Sequence, residues 1–410
     1  MKSAVKKIKN CKMKLTVEVE PELVEGRFQE VFRDFQKAVS LPGFRQGKAP
    51  SDLIEKKFLK EAQEEVLKSL IPEAYHRSVA SQKLSPVSLP SISEIQVERG
   101  KKLSFSAEFE NSPEFSLKNY KGIKINKPST EVSADEVEKG FASLLDSRAE
   151  LVQVAVARPA AQGDFVIADV EVWKDGAYVE GRKGTLLSVE PHPGDDFFEK
   201  IIGANINEVR EISIEEKPAY KIWVRNLKEK KLPEVNEEFA KSFGKDTIEE
   251  LKTAVRKDIA AYKLSESHEK MKHDLFDRLL ALVEFEVPEG LVEKQKEKLL
   301  DQAKKEFERM GRLNGRMEDE MKKVEGDASV KAKEQVKLYF ILQKVAELES
   351  VEADEVELEK KLTALAEESK RPLDEARRVF EDDLRESMRE KQTVEFLLAN
   401  AKLEETNMSA

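Results

Sequence analysis

The sequence predicts a multidomain α+β fold: a small N-terminal α+β domain, a small β-rich middle domain, and a helical remainder with long arms. Three observations predict it. Residues 163–227 alternate apolar and polar at period two, whereas residues beyond about 246 carry apolar stripes at helical spacing. Of 410 residues 37% are charged, and there are only 17 Gly and 15 Pro, which excludes a many-turned all-β fold and favours solvated helices. The expected boundaries are 1–111 for the first domain, 112–152 for a linker and the first part of the helical domain, 153–232 for the β-rich domain, and 233–410 for the helical domain. The β-rich domain is thus expected to be inserted into a discontinuous all-α domain.

Taken in order, Leu15, Val17 and Val19 alternate as in a half-buried strand, and Pro21 then opens a helix with Val24, Phe28, Val31, Phe32 and Phe35 on one face. Ser51 or Asp52 is expected to cap a second helix carrying Leu53, Ile54, Phe58, Ala62 and Val66. Residues 95–97 and 103–109 read as a hairpin around Arg99-Gly100. After an extended linker, residues 133–152 read as a helix with Val137, Phe141, Leu144 and Leu145. Strands follow around residues 165–172, 185–189, 209–214 and 220–224. Asp246 or Thr247, with Glu249 and Glu250 three positions on, forms a capping box. Pro288 starts the next helix, Val336 to Leu348 mark another face, and Leu358, Leu362 and Leu365 a further one. The last two helices are expected over 373–388 and 394–403.

The net charge of −10 is unevenly spread. Residues 1–111 hold 20 Lys+Arg against 16 Asp+Glu, and the remainder 51 against 65, which suits a polyanionic partner at the N-terminal end only. The single cysteine, Cys11, excludes an intramolecular disulfide, a two-cysteine redox motif and a thiolate zinc cluster, and points to a reducing compartment. With no signal-peptide pattern at the start and no run of about 18 apolar residues, the expected location is the cytoplasm, with no membrane contact.

Residues 41–50 read Leu-Pro-Gly-Phe-Arg-Gln-Gly-Lys-Ala-Pro between two amphipathic helices. Two glycines and two prolines define a tight loop that carries the aromatic Phe44 beside Arg45 and Lys48. An aromatic with cations on a loop tip suits an RNA–protein surface, and the plainer alternative is that Phe44 tucks back into the local core. This Gly-Phe-Arg-x-Gly-Lys-x-Pro run closely resembles the ribosome-binding signature of the trigger factor family. Asn119-Tyr120-Lys121-Gly122-Ile123, Lys231-Leu232-Pro233-Glu234, Glu238-Phe239-Ala240 and the run from Phe285 to Val292 resemble that family's later segments in order and spacing, so the resemblance spans nearly the whole chain.

The resemblance implies a chaperone that docks on the large ribosomal subunit near the nascent-chain exit, touching protein and RNA. It would shelter nascent or unfolded polypeptide and assist folding and export, leaving a homodimer of the free protein open. Gly43, Phe44, Arg45, Gln46, Gly47 and Lys48 match the docking signature, with Gln46 at a position that is often basic in the family.

The middle domain resembles a shortened FKBP-type prolyl isomerase in Gly163-Asp164 and in the Asp175-Gly176 turn. That chemistry needs no metal or cofactor; an aromatic, water-poor pocket lowers a twisting barrier of about 18–20 kcal/mol. The candidate pocket residues are Val170, Tyr178, Val179, Phe197, Phe198 and Tyr220. Val170 and Val179 stand where aromatics are usual, and the segment before Tyr220 is short, so activity is expected to be weak or absent. Phe197, Phe198, Tyr220 and Trp223 serve equally as core for a small barrel. An active isomerase with accessory helices is the enzyme-class alternative.

His268 and His273 lie five apart, about 140° round a helix, and so do not form a zinc-binding pair. Candidate client contacts are Phe307, Met310, Leu313 and Met317, with Met321 beyond them. Methionine adapts to many partners, and the alternative is that these residues pack between helices.

Overall fold

The computed structural model describes residues 1–9, 11–38, 41–42, 44, 47–155, 158–174, 177–190, 197–213, 219–309 and 317–406, with backbone alone at 317–323 and 406. An N-terminal α+β domain, a central β-rich region and a C-terminal helical region follow one another along the chain. Two compact units form, one from residues 1–127 with 269–406, the other from residues 128–268.

In the first unit a four-stranded antiparallel sheet has the order β1-β2-β4-β3, formed by β1 (Lys2–Lys9), β2 (Lys12–Val19), β3 (Ser91–Gln96) and β4 (Leu103–Glu110). Alternation puts Leu15, Val17, Leu103, Phe105, Ala107 and Phe109 on the buried face. Against them pack α1 (Pro21–Ala38), through Val24, Phe28 and Phe32, and α3 (Leu59–Ser81), through Ala62, Val66, Leu70 and Ala74. The expected second helix is two. The short α2 (Ser51–Lys57) precedes α3, and Phe58 between them leaves helical geometry at φ −114°, ψ 24°. Pro50, not Ser51 or Asp52, is the N-cap and offers no side-chain acceptor; its carbonyl takes the first helical bonds, 3.1 Å from Leu53 N and 3.3 Å from Ile54 N.

The helical part of the same unit is built from α6 (Ile248–Leu282, its second half), α7 (Glu289–Arg309), α8 (Met317–Glu349), α9 (Glu355–Ser369) and α10 (Leu373–Ala399). Leu275, Leu279, Ile341, Leu342, Val345, Val394 and Leu397 close one core together with Leu117, Ile123 and Ile125 of the extended segment. The two expected C-terminal helices are one, because residues 389–393 continue the turn with Thr393 buried and its hydroxyl donating to the Arg389 carbonyl (2.7 Å). The chain then forms β11 (Lys402–Thr406), which pairs with β5 (Lys124–Pro128). The N-terminal sheet meets this helical part where the Glu110 carboxylate accepts from Gly290 N (2.9 Å) in the first turn of α7, a position that favours anions. A Cβ at Gly290 would stand 2.8 Å from that carboxylate, so a side chain there would push the Glu110 carboxylate aside.

In the second unit α4 (Ala134–Ser147), α5 (Glu237–Lys241) and the first half of α6 pack through Phe141, Phe239 and Leu251. Ser133 caps α4 with a reciprocal Glu136 bond, and Thr247 accepts from Glu250 N (3.2 Å) ahead of α6. The expected helix over 133–152 stops at Ser147. Residues Glu150–Gln153 form β6 instead, because they pair with β10 (Ala219–Lys231). A five-stranded antiparallel sheet results, in which β10 also pairs with β7 (Phe165–Lys174) and β9 (Val209–Ile212), and β7 with β8 (Ala177–Ser188). Val166, Ala168, Ile201, Ile212, Ile222, Val224 and Leu227 fill its core. No described helix is long and apolar enough to cross a membrane.

Candidate functional site

The loop between α1 and α2 is held at its base. Leu41 and Ala49 are buried in the N-terminal core, and Gln36 Nε2 donates to the Ala49 carbonyl (2.6 Å). Phe44 N donates to the Leu41 carbonyl (3.1 Å), and Gly47 takes a left-handed φ of 79°, which a side chain would strain. Between these anchors Phe44 stands 41% exposed rather than folded into the core, and Lys48 is exposed. Gly43, Arg45 and Gln46 lie outside the described residues.

The two helices that flank the loop are clamped by a residue that the sequence reading passed over. Arg99, on the β3–β4 turn, donates from Nε and Nη2 to Glu25 of α1 (3.1 and 2.9 Å) and from Nη1 to Glu55 of α2 (2.6 Å). Its guanidinium also lies 5.4 Å from the Phe32 ring centroid. Hydrogen bonding from Arg99 holds the Glu25 carboxyl below the usual carboxylate range. The only hint in the sequence is the Arg99-Gly100 turn itself, because the partners lie 74 and 44 positions away.

The middle-domain candidates fall into two places. Phe197 meets Phe198 and Tyr220 edge to face at 5.2 and 5.1 Å, and Phe197, Tyr220 and Val170 pack against the sheet core. Tyr178 and Val179 stand 56% and 57% exposed on β8, where Tyr178 meets Trp173 edge-on at 5.8 Å and lies over Gly181. At the root of this sheet the buried Asp164 accepts from Arg158 Nη2 (2.9 Å) and Ala161 N (2.8 Å), while Arg158 also reaches Glu229 (3.1 Å). Burial opposes ionisation of Asp164, but these donors outweigh it and keep its carboxyl below the usual range.

On the helical arm Phe307 is half-buried. Met310 and Leu313 lie outside the described residues, as do the side chains of Met317 and Met321. No residue of α7 is fully buried; Lys296 bridges Glu293 and Glu325 on its flank. Among the described residues no group of His, Cys, Asp and Glu is arranged to hold a metal.

An α+β head with an exposed loop tip, a central β-rich region and a C-terminal helical region define a multidomain polypeptide chaperone. Residues 1–144 match the family model described as bacterial trigger factor protein, and residues 247–399 match that of its C-terminus. The trigger factor of Geobacter sp. (strain M21) is 31% identical over 99% of this chain and 98% of its own length. That of Geobacillus kaustophilus is 30% identical over 95% and 96%. A solved trigger factor chaperone structure covers 97% of this chain and 99% of its own at 22% identity and a TM-score of 0.47. The chain belongs to the trigger factor family.

Proposed function

We propose that the protein docks on the large ribosomal subunit near the nascent-chain exit through residues 43–48 and holds emerging or unfolded polypeptide on its helical region, in the cytoplasm. One observation carries this reading: the loop is pinned at both ends by buried residues while Phe44 is left in solvent. Leaving a large aromatic 41% exposed forgoes only part of the about 1.5–3 kcal/mol that full burial gives, a loss that a partner surface recovers. In this reading Phe44 inserts against ribosomal protein and Arg45 and Lys48 meet phosphate, so docking weakens as salt rises. Clients are held weakly and released without a nucleotide, since adaptable apolar residues spaced among charges bind many sequences. The middle domain contributes little isomerase activity, because Tyr178 and Val179 stand apart from Phe197 and Tyr220 and do not complete an aromatic cage with them.

The test is cosedimentation with ribosomes. Replacing Phe44, Arg45 and Gln46 together by Ala is expected to remove most of the bound protein at physiological salt and to leave the circular-dichroism spectrum unchanged. Undiminished cosedimentation of that variant sinks the docking assignment.

A further inference from the structure

The excess positive charge of the N-terminal domain is concentrated. Residues 33–60 hold seven Lys+Arg against three Asp+Glu, and the rest of residues 1–111 is balanced at thirteen against thirteen. On the sheet face the lysines are neutralised locally, Lys12 by Glu108 (3.1 Å), Lys14 by Glu94 (2.8 Å) and Lys102 by Glu18 (2.6 Å). Around the loop Lys37 is paired with Asp34 (3.2 Å), but most of the other cations are not. Arg33 near the end of α1, Lys48 in the loop, Lys56 and Lys57 in the last turn of α2, and Lys60 at the start of α3 are exposed, with no ion pair among the described residues.

Packing draws these cations into one neighbourhood. Gln36, one turn beyond Arg33, holds the carbonyl of Ala49 directly after Lys48. Phe35 meets Phe58 edge-on at 6.0 Å, and Lys57 Nζ lies 5.8 Å from the Phe58 ring centroid. The helix break at Phe58 keeps Lys56, Lys57 and Lys60 on consecutive turns at this end of the domain, and Arg99 engages Glu55, one of the two carboxylates of α2, in its own clamp. Uncompensated cations at one end of a domain raise the local potential and attract a polyanion, whereas balanced pairs do not.

We propose that Arg33, Lys56, Lys57 and Lys60 form a second docking surface beside the loop and its Lys48, one that follows the phosphate backbone of ribosomal RNA. The proposal rests on the ribosome reading above and adds to it. Phe44 fixes where the protein sits, while the lysines at the α2–α3 junction supply most of the sequence-independent attraction. Such a division fits a loop whose own cations are only Arg45 and Lys48, with the uncharged Gln46 between them. Phosphate contacts from flexible lysine stems orient without reading bases.

The test measures binding of the full chain to isolated large ribosomal subunits, and separately to their protein-free RNA, across a salt series. Each lysine on a phosphate contributes roughly 0.7–0.9 to the slope of log affinity against log salt. The variant K56Q/K57Q/K60Q is therefore expected to flatten the slope by about 2 and to lose about tenfold in affinity at low salt. Its melting temperature is expected to stay unchanged, and K56R/K57R/K60R to bind like wild type. An unchanged slope in the Gln variant, with F44A still losing binding, overturns the lysine surface and leaves the loop reading standing. Affinity lost equally at every salt concentration assigns the lysines to ribosomal protein and overturns the RNA assignment. A wild-type chain that binds neither probe overturns the docking function and this surface with it.

Discussion

The guanidinium of Arg99 grips both carboxylate oxygens of Glu25, Nε donating to Oε2 (3.2 Å) and Nη2 to Oε1 (2.9 Å), and thereby joins the β3–β4 turn to the helix that leads into the exposed loop. A fork of this kind fixes orientation as well as distance, which a lysine ammonium does not. Replacing Arg99 by Ala is expected to cost about 1 kcal/mol of stability, since the pair is partly solvated. The larger effect is expected at the loop: faster amide exchange at Leu41, Phe44 and Ala49, and weaker ribosome binding. R99K is expected to recover stability but not the exchange protection. Full protection in R99K shows that charge alone holds the helices, and removes the positioning role.

Acid is expected to loosen the middle domain at its root. Asp164 titrates below its ordinary value of about 3.9, so its contribution is complete at neutral pH and lost as pH falls through the lower, folded value. Replacing Asp164 by Asn removes the charge at every pH and is expected to destabilise the central sheet by about 2 kcal/mol at pH 7. The difference from wild type is expected to shrink steadily below about pH 4. Urea melts followed by Trp173 and Trp223 fluorescence read this sheet directly, and a difference independent of pH contradicts the assignment.

The isomerase question has a direct readout. Proline-limited refolding of a model protein is expected to speed up little with the full chain, while aggregation of an unfolded client is suppressed. If Phe197, Phe198 and Tyr220 do form a working pocket, acceleration will be large and Y220A will abolish it.

Within the second unit, residues 150–231 begin and end side by side, since Glu150 is paired with Lys231 on neighbouring strands. Chain ends about 5 Å apart can be joined by a short flexible linker. That deletion is expected to leave Phe141, Phe239 and Leu251 packed, the helical circular-dichroism band intact, and ribosome binding and holdase activity retained. Collapse of the helical signal disproves the proposal that the β-rich region is an insertion into a discontinuous helical domain.

Where one face of an element is apolar, the sequence announced it. The buried Leu15, Val17, Val24, Phe28 and Phe105 follow from period alone, as do Leu358 and Leu362. Elements defined by a distant neighbour were not legible. The edge strand β1 carries lysines on both faces and has no stripe to read. Residues 150–153 suit a helix as well as a strand, and only pairing with β10 decides. The loop was legible because glycine, proline and an unpatterned aromatic mark it locally. Arg99 was not, because nothing in a sequence shows which carboxylates will surround a lone arginine.

The pairing of β11 with β5 has a consequence for how the molecule itself comes into being. Lys402 N donates to the Ile123 carbonyl (2.8 Å), and Gly122 N to that of Asn400 (3.0 Å), so a seam of the helical core joins residues made nearly three hundred peptide bonds apart. The N-terminal sheet, by contrast, is complete within the first 111 residues and can form while synthesis continues. The final strand must be synthesised before the linker can close, and long-range closure of this kind is slow. A newly made copy would therefore have its N-terminal domain in place while its helical half still lacked a strand, and so would pass through a stage in which it resembles an unfolded chain.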